Sequence, residues 1–185
     1  MEYVQPIRNK KDIDRLKEYI KENKDSRYYV CFILGLYSAL RISDILNLQV
    51  KDIRKDGIIV DIVTIKAEKT DKITQFPIKP DIKNILSDYC HDKNDCDYLI
   101  ENKRTHNPLS RIQVYRVLRE CAEQIGLEHI GTHSMRKSFG YHYYLQSKDI
   151  ATLQDIYGHS SERTTKRYIG ITQDTIIEAM GNFEY

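Results

Sequence analysis

Between Gly131 and Tyr168 the chain concentrates groups that can hold and attack a phosphate: Thr132-His133-Ser134-Met135-Arg136, then Gly158-His159-Ser160-Ser161, then Arg167-Tyr168. His133 and Arg136 stand three residues apart, a spacing that puts both on one face of a helix and lets them bond the same anion. A second histidine, His159, precedes Tyr168 by nine residues. Guanidinium groups grip non-bridging phosphate oxygens in a fork and stabilise a five-coordinate transition state. A free phenol has a pKa of about 10, so Tyr168 as nucleophile needs a base or strongly cationic surroundings. Phosphoryl transfer on nucleic acid is the chemistry these residue types suggest. Each pair alone is a weak signal in a chain with 6 His and 14 Tyr. Tyr141, Tyr143, Tyr144 and Tyr157 therefore remain open as rival nucleophiles.

Two earlier segments add cations. Arg41 lies in Leu40-Arg41-Ile42-Ser43-Asp44-Ile45, poorly placed for plain solvation, and a half-buried guanidinium requires an anion. Asp44 can hold it ready for one, or the pair can simply tidy a helix junction. Lys69 stands in a polar turn with Lys66 and Lys72 nearby. Lysines at a hairpin tip can protect a sheet edge, or deliver a proton to a leaving sugar oxygen.

The elements that must position these groups are mostly helical. Ile13, Leu16 and Ile20 predict an amphipathic helix over 10–23, and Tyr28 to Leu40 is apolar enough to be a central buried helix. Ile42 to Leu48 continues helically. The period then changes: after the Asp56-Gly57 turn, β-branched residues from Ile58 to Ile65 predict a strand, and Ile73 to Ile78 its antiparallel partner. Helix resumes over 81–89, followed by a polar loop from His91 to Pro108 with a short strand near Tyr98-Leu99-Ile100. Ser110 is placed to cap a helix reaching Ile125, with Gly126 closing it. Further helices are expected over 134–145, 148–157 and 161–168, with Gly158 stopping the second and Ser160 or Ser161 capping the third. A last helix begins at Thr172 or Asp174, with Ile176, Ile177 and Met180 on one face. The fold class is mainly α with a small antiparallel β-sheet, an α+β domain.

Bulk properties exclude little. The chain has 185 residues, 41% hydrophobic and 30% charged, with a net charge of only +2, which fits one domain over 1–185. Residues 101–170 carry 11 Lys+Arg against 7 Asp+Glu, so the stretch with the suspected site is the basic part. The four cysteines, Cys31, Cys90, Cys96 and Cys121, form no regular framework. Cys31 and Cys121 read as buried free thiols. Cys90, His91 and Cys96 share an acidic loop but match no zinc spacing. No export signal or membrane-length apolar run is found, and a cytoplasmic protein is expected.

Taken together, the motifs resemble the catalytic domain of the phage-integrase family of tyrosine site-specific recombinases. The resemblance rests on Ser38 to Ile45 around Arg41, on Lys69-Thr70-Asp71 eight residues before Pro77, on His133-x-x-Arg136, and on Gly158-His159 with Tyr168. It implies the fold of that domain and a catalytic set of Arg41, Lys69, His133, Arg136, His159 and Tyr168. Tyr168 would cut one strand of double-stranded DNA, forming a 3′-phosphotyrosyl bond and leaving a 5′-hydroxyl that a partner strand replaces. No cofactor, ATP or metal is expected. A homo-oligomer on DNA, a tetramer in the family, is implied, and the free chain is compatible with a monomer. A type IB topoisomerase and a non-catalytic DNA-binding helper on the same fold are the rival readings. Only 40 residues precede Arg41, so the family's N-terminal core-binding domain is expected to be absent and the grip on DNA correspondingly reduced.

Overall fold

In the computed structural model, which describes residues 4–66 and 73–182, the first helices are α1 (Lys10–Asn23) and α2 (Ser26–Tyr37). In α2 the whole run from Val30 to Leu36 is buried, because a helix that is apolar on every side is stable only inside the protein. Asp25 starts it, its carboxylate accepting the Arg27 N–H at 3.1 Å. Helix α1 packs on it through Leu16 and Ile20.

Two short helices follow, α3 (Ile42–Leu46) and α4 (Val50–Ile53), and then four short strands. Strand β1 (Arg54–Lys55) pairs antiparallel with β2 (Ile58–Ile59), and β3 (Ile62–Lys66) with β4 (Ile73–Pro77). The single strand expected over Ile58–Ile65 is thus divided between two ladders. The Asp56-Gly57 turn, with φ of 51° and 79°, folds Ile58–Ile59 straight back onto Arg54–Lys55. The chain must then change partners: Val60 N–H donates to the Ile53 carbonyl at 3.0 Å, and Asp61 accepts from Ile78 N–H at 2.8 Å. Lys69, with Thr70 and Asp71, lies outside the described residues.

Helix α5 (Pro80–Cys90) begins with its proline in the first turn, where the missing N–H is harmless. Cys90 ends this helix and is buried, which removes it from the polar loop expected to hold it. The short strand expected near Tyr98–Ile100 is reduced to a single antiparallel bridge between Tyr98 and Gln49; Leu99 N–H donates to the Leu48 carbonyl at 2.8 Å, and Leu99 and Ile100 are buried. Helix α6 (Arg111–Gln124) carries the expected Ser110 cap, whose hydroxyl accepts Gln113 N–H at 3.2 Å.

The site-bearing part is α7 (Thr132–Ser147), α8 (Ile150–Tyr157), α9 (Glu162–Tyr168) and α10 (Ile171–Gly181). Helix α7 begins two residues earlier than expected, so His133 lies in its first turn. Lys148 does not open α8: at φ 57° it closes α7, and Asp149 caps α8 by accepting Thr152 N–H at 3.0 Å. Gly158 stops α8 and Ser161 caps α9. Gly170 adopts φ 87° and lets α10 start immediately after α9. The apolar face of α10, with Ile176, Ile177 and Met180, is exposed.

Ahead of α1, residues 4–9 run as a strap along α7. Lys137 Nζ donates to the Val4 carbonyl at 2.7 Å, Ile7 N–H to Ser138 Oγ at 2.7 Å, and His142 Nε2 lies 2.9 Å from the Ile7 carbonyl. Arg8 reaches α10 and grips Asp174 at 2.8 Å. A small second core of Ala39, Ile150, Leu153, Tyr157 and Ile169 lies beneath the site, separate from the core around α2.

Helices α2 and α7 approach closely at Gly35, where an added Cβ would lie 2.5 Å from Met135 Sδ and 2.9 Å from Met135 Cβ. Gly35→Ala is expected to lower stability by about 1–3 kcal/mol through overpacking, read as a lower denaturant midpoint with unchanged slope. An unchanged midpoint would contradict this helix contact.

Candidate active site

Arg136 points from α7 into the junction with α8 and the turn before α3, and is 6% exposed. Guanidinium N–H groups buried that far require acceptors. One terminal nitrogen donates to the Ala39 carbonyl, the other to the Tyr157 carbonyl at 3.3 Å. Its central carbon also lies 4.5 Å from the centre of the Tyr157 ring, a cation–π contact. Ala39 has φ 57°, in the left-handed region, so the carbonyl Arg136 uses belongs to a strained turn. Ser38 braces that turn, its hydroxyl donating to the Leu34 carbonyl at 2.7 Å and accepting Leu40 N–H at 3.2 Å.

Arg41 follows in the same turn and is half-buried. Its main-chain N–H donates to the Asp44 carboxylate at 3.3 Å, which ties Asp44 to the residue it was expected to support. Arg41 and Arg136 line one cleft of about 240 Å³, with Thr74 and Gln75 of β4 on one side and Gly158 on another. The hairpin that carries Lys69 in the sequence thus borders the cleft through its second strand.

Tyr168 ends α9, its phenol within the field of the Arg136 and Arg41 charges. Its ring centre lies 5.4 Å from that of Tyr157 and 5.2 Å from that of His159, and the last two are 5.3 Å apart. All three rings meet edge to face, the arrangement aromatic quadrupoles favour. Lys137 Nζ sits 5.4 Å from the centre of the Tyr168 ring. His159 Nδ1 lies 3.0 Å from Thr165 Oγ1.

Charge and burial set the protonation states. Burial raises the Tyr168 pKa above its ordinary value, and the charges of Arg136 and Arg41 only partly oppose it. Burial, then the charges of Arg136 and Arg41, lowers that of His159. At neutral pH a protonated phenol therefore faces an unprotonated imidazole, the pairing a general base needs. His133 stands exposed in the first turn of α7; partial desolvation, then Lys137, Arg111, Arg136 and Arg41, lowers its pKa as well.

Of the expected residues, Arg41 and Arg136 share the cleft and His159 and Tyr168 pack beside it around Tyr157, His133 stands exposed in the first turn of the helix that carries Arg136, and Lys69 falls outside the described part. The rival tyrosines sort by position. Tyr157 is 1% exposed, donates its hydroxyl hydrogen to the Arg136 carbonyl at 2.6 Å, and has a pKa pushed far up by burial. It is a wall of the site. Tyr143 stacks on Phe139, Tyr144 lies under Lys148, and Tyr141 contacts Arg8 and Asp174.

Sequence reasoning missed Tyr157 as a wall, along with Ala39, Lys137 and Thr165. One signal could have found the first. Gly140 is a glycine inside a 16-residue helix, and a Cβ there would lie 2.3 Å from the Tyr157 hydroxyl. Among the described residues no three His, Cys, Asp or Glu side chains converge as a metal site. Burial pushes the Cys90 thiol up to about 11, and His91 and Cys96 are exposed.

The model of the phage integrase family matches residues 8–174. The chain is 49% identical over 175 residues to the probable integrase/recombinase YoeC of Bacillus subtilis, covering 95% of this chain and 94% of that one. It is 28% identical over 173 residues to the tyrosine recombinase XerA of Pyrococcus furiosus, covering 91% of this chain but only 58% of XerA. Among solved structures, XerA recombinase superposes with a TM-score of 0.74 at 21% identity, over 98% of this chain and 67% of that one. XerH bound to a palindromic difH substrate, in a post-cleavage complex, superposes with a TM-score of 0.75 at 22% identity, over 100% of this chain and 54% of that one. These two structures share the fold. Among the described residues no helix is long and apolar enough to cross a membrane.

The lowered pKa values of His133, His142 and His159 carry a sign. A histidine in the unfolded chain titrates at about 6.5, above these folded values, so the unfolded state takes up protons first. Their stability contribution is complete above about pH 6.5 and is lost as pH falls through the folded values. The denaturant midpoint is expected to fall between about pH 7 and pH 5.5, less steeply in His159→Gln. A midpoint that rises over this interval would contradict the assignment.

Proposed function

The chain belongs to the phage integrase family, and on that premise we propose that it is a site-specific recombinase that cuts and rejoins double-stranded DNA through Tyr168. The observation that carries this reading is the Tyr168 phenol, set within the charge of the buried Arg136 guanidinium and packed edge-on against a neutral imidazole.

Arg41 and Arg136 take the non-bridging oxygens of the scissile phosphate in their shared cleft. Tyr168 Oη then bonds to phosphorus and the bond to the 5′ oxygen breaks. The phenol proton passes to His159, and Lys69 protonates the leaving oxygen. His133, at the rim, contributes a further donor to the phosphate. The product is a 3′-phosphotyrosyl bond with a free 5′-hydroxyl, and the 5′-hydroxyl of a partner strand reverses the step to rejoin the DNA. Bond energy stays in the covalent link and side chains neutralise the charge, so these steps need neither ATP nor a divalent metal.

The domain over 1–185 acts here as one catalytic unit in the cytoplasm. Exchange needs several active sites on one DNA complex, and the exposed apolar face of α10 suits a neighbouring copy in a tetramer. The topoisomerase and helper readings are not favoured, since the matched proteins carry integrase and recombinase names.

A nicked suicide duplex carrying a site the protein binds is expected to give a denaturant-stable protein–DNA adduct. Tyr168→Phe should give none, Arg136→Lys should slow its formation about 10²–10³-fold, and Tyr157→Phe should still form it. No adduct from the unaltered protein on a bound site would overturn the enzymatic reading.

A further inference from the structure

Helix α9 has seven residues, and Thr165 is the one it buries. A helix this short is not stable by itself, so the groups packed around its last residue decide where Tyr168 sits. One of them is Lys137, which follows Arg136 on α7 and is half-buried. Burial, then the charge of Arg8, lowers its pKa. Two neighbours compensate the ammonium for lost water: the Val4 carbonyl accepts from Nζ at 2.7 Å, and the centre of the Tyr168 ring lies 5.4 Å from the same nitrogen. The charges that act on the phenol are those of Arg136 and Arg41. Lys137 meets the ring instead, which suits it to hold the residue in place.

A lysine has a long flexible stem, and the entropy lost on fixing it is comparable to what one cation–π contact returns. The contact with Tyr168 therefore needs the Val4 carbonyl to keep Nζ in place. Val4 is itself fixed by the strap. Gln5 N–H donates to the His129 carbonyl at 2.9 Å, Ile7 N–H to Ser138 Oγ at 2.7 Å, and the Ile7 side chain is buried in the main core.

The same strap reaches the chain that follows Tyr168. A Cβ added at Gly170 would lie 3.1 Å from Arg8 Nη2 and 3.3 Å from Pro6 Cγ. Arg8 Nε donates to both Asp174 carboxylate oxygens at 3.1 Å and Nη2 to one of them at 2.8 Å, a fork that fixes angle as well as distance. Asp174 lies in the first turn of α10, so the turn between α9 and α10 is pinned beside the strap. We propose that residues 4–9 are a positioning strap for the nucleophile: Val4 holds Lys137 against the Tyr168 ring, Pro6 and Arg8 hold the turn that follows, and adduct formation depends on the strap being seated.

The inference rests on the reading of Tyr168 as nucleophile and deepens it, but the strap can be followed without DNA. In the whole chain labelled with ¹³C-tyrosine, the Tyr168 ring signals are assigned by their loss in Tyr168→Phe. Lys137→Met, which removes the charge and the donor, and Ile7→Ala, which loosens the strap, should each shift those signals. At saturating DNA each should form the adduct about 10-fold more slowly, with DNA binding retained. The double variant should be no slower than the slower single one, because both act through the same contact. Lys137→Arg, which keeps a cation and a donor, should recover most of the rate. Arg8→Gln, which releases Asp174, should also shift the signals and slow the adduct, and serves if Ile7→Ala does not fold. Unchanged Tyr168 signals and rate in Lys137→Met, losses that multiply in the double variant, or a defect confined to DNA affinity would overturn the proposal. Shifted signals in a protein that gives no adduct on a bound site would sustain the strap and defeat the nucleophile reading.

Discussion

A positive charge buried where α7, α8 and the turn before α3 meet is the constraint on which this structure depends. Taking a guanidinium out of water is unfavourable by several kcal/mol unless its hydrogens find acceptors. Arg136 finds the carbonyls of Ala39 and Tyr157 and the face of the Tyr157 ring. These are neutral groups: they satisfy its geometry without cancelling its charge, so the cleft it shares with Arg41 still attracts an anion. Several otherwise odd features follow from that arrangement. Ala39 must take a left-handed turn to present its carbonyl. Gly140 must lack a side chain so that the Tyr157 hydroxyl can reach the backbone of α7.

The same charge governs the proton inventory. In the free protein it adds to the burial that lowers the pKa of His159, and only partly offsets the burial that keeps the Tyr168 phenol protonated. The site is thus held with an acceptor and a donor side by side, and phosphate is the component that would set the proton moving. The strap of residues 4–9 ties this centre to the chain start. Lys137 touches both the Val4 carbonyl and the face of Tyr168, and Arg8 fastens α10 through Asp174. Tyr168 is therefore packed between elements from opposite ends of the sequence.

Most of the framework was legible because its signals are local. The all-apolar run Val30–Leu36 announced the buried helix, Ser110 and Ser161 announced helix starts, and Gly158 announced a stop. Arg41, His133, Arg136, His159 and Tyr168 were legible as an ordered set of chemical types, and the fold gathers all but the exposed His133 around Tyr157. What escaped was relational. The strand over Ile58–Ile65 divides because the ladder partner changes at Val60, which no run of β-branched residues reveals. Lys148 closes a helix because its backbone turns left-handed, a conformation its residue type does not advertise. Tyr157, Ala39 and Thr165 matter through what they touch, and a tyrosine walling an arginine looks in sequence like any other tyrosine.

Which tyrosine carries the DNA is the deciding observation. After trypsin and nuclease digestion of the covalent adduct, cleavage following Arg167 yields residues 168–185 as one peptide, since no Lys or Arg follows. Tyr157 falls in residues 149–163, and Tyr141, Tyr143 and Tyr144 fall in residues 138–148. The nucleotide mass is expected on the 168–185 peptide, placed by fragmentation on its first residue, Tyr168. Attachment within 149–163 or 138–148 would contradict the assignment of Tyr168 as the nucleophile.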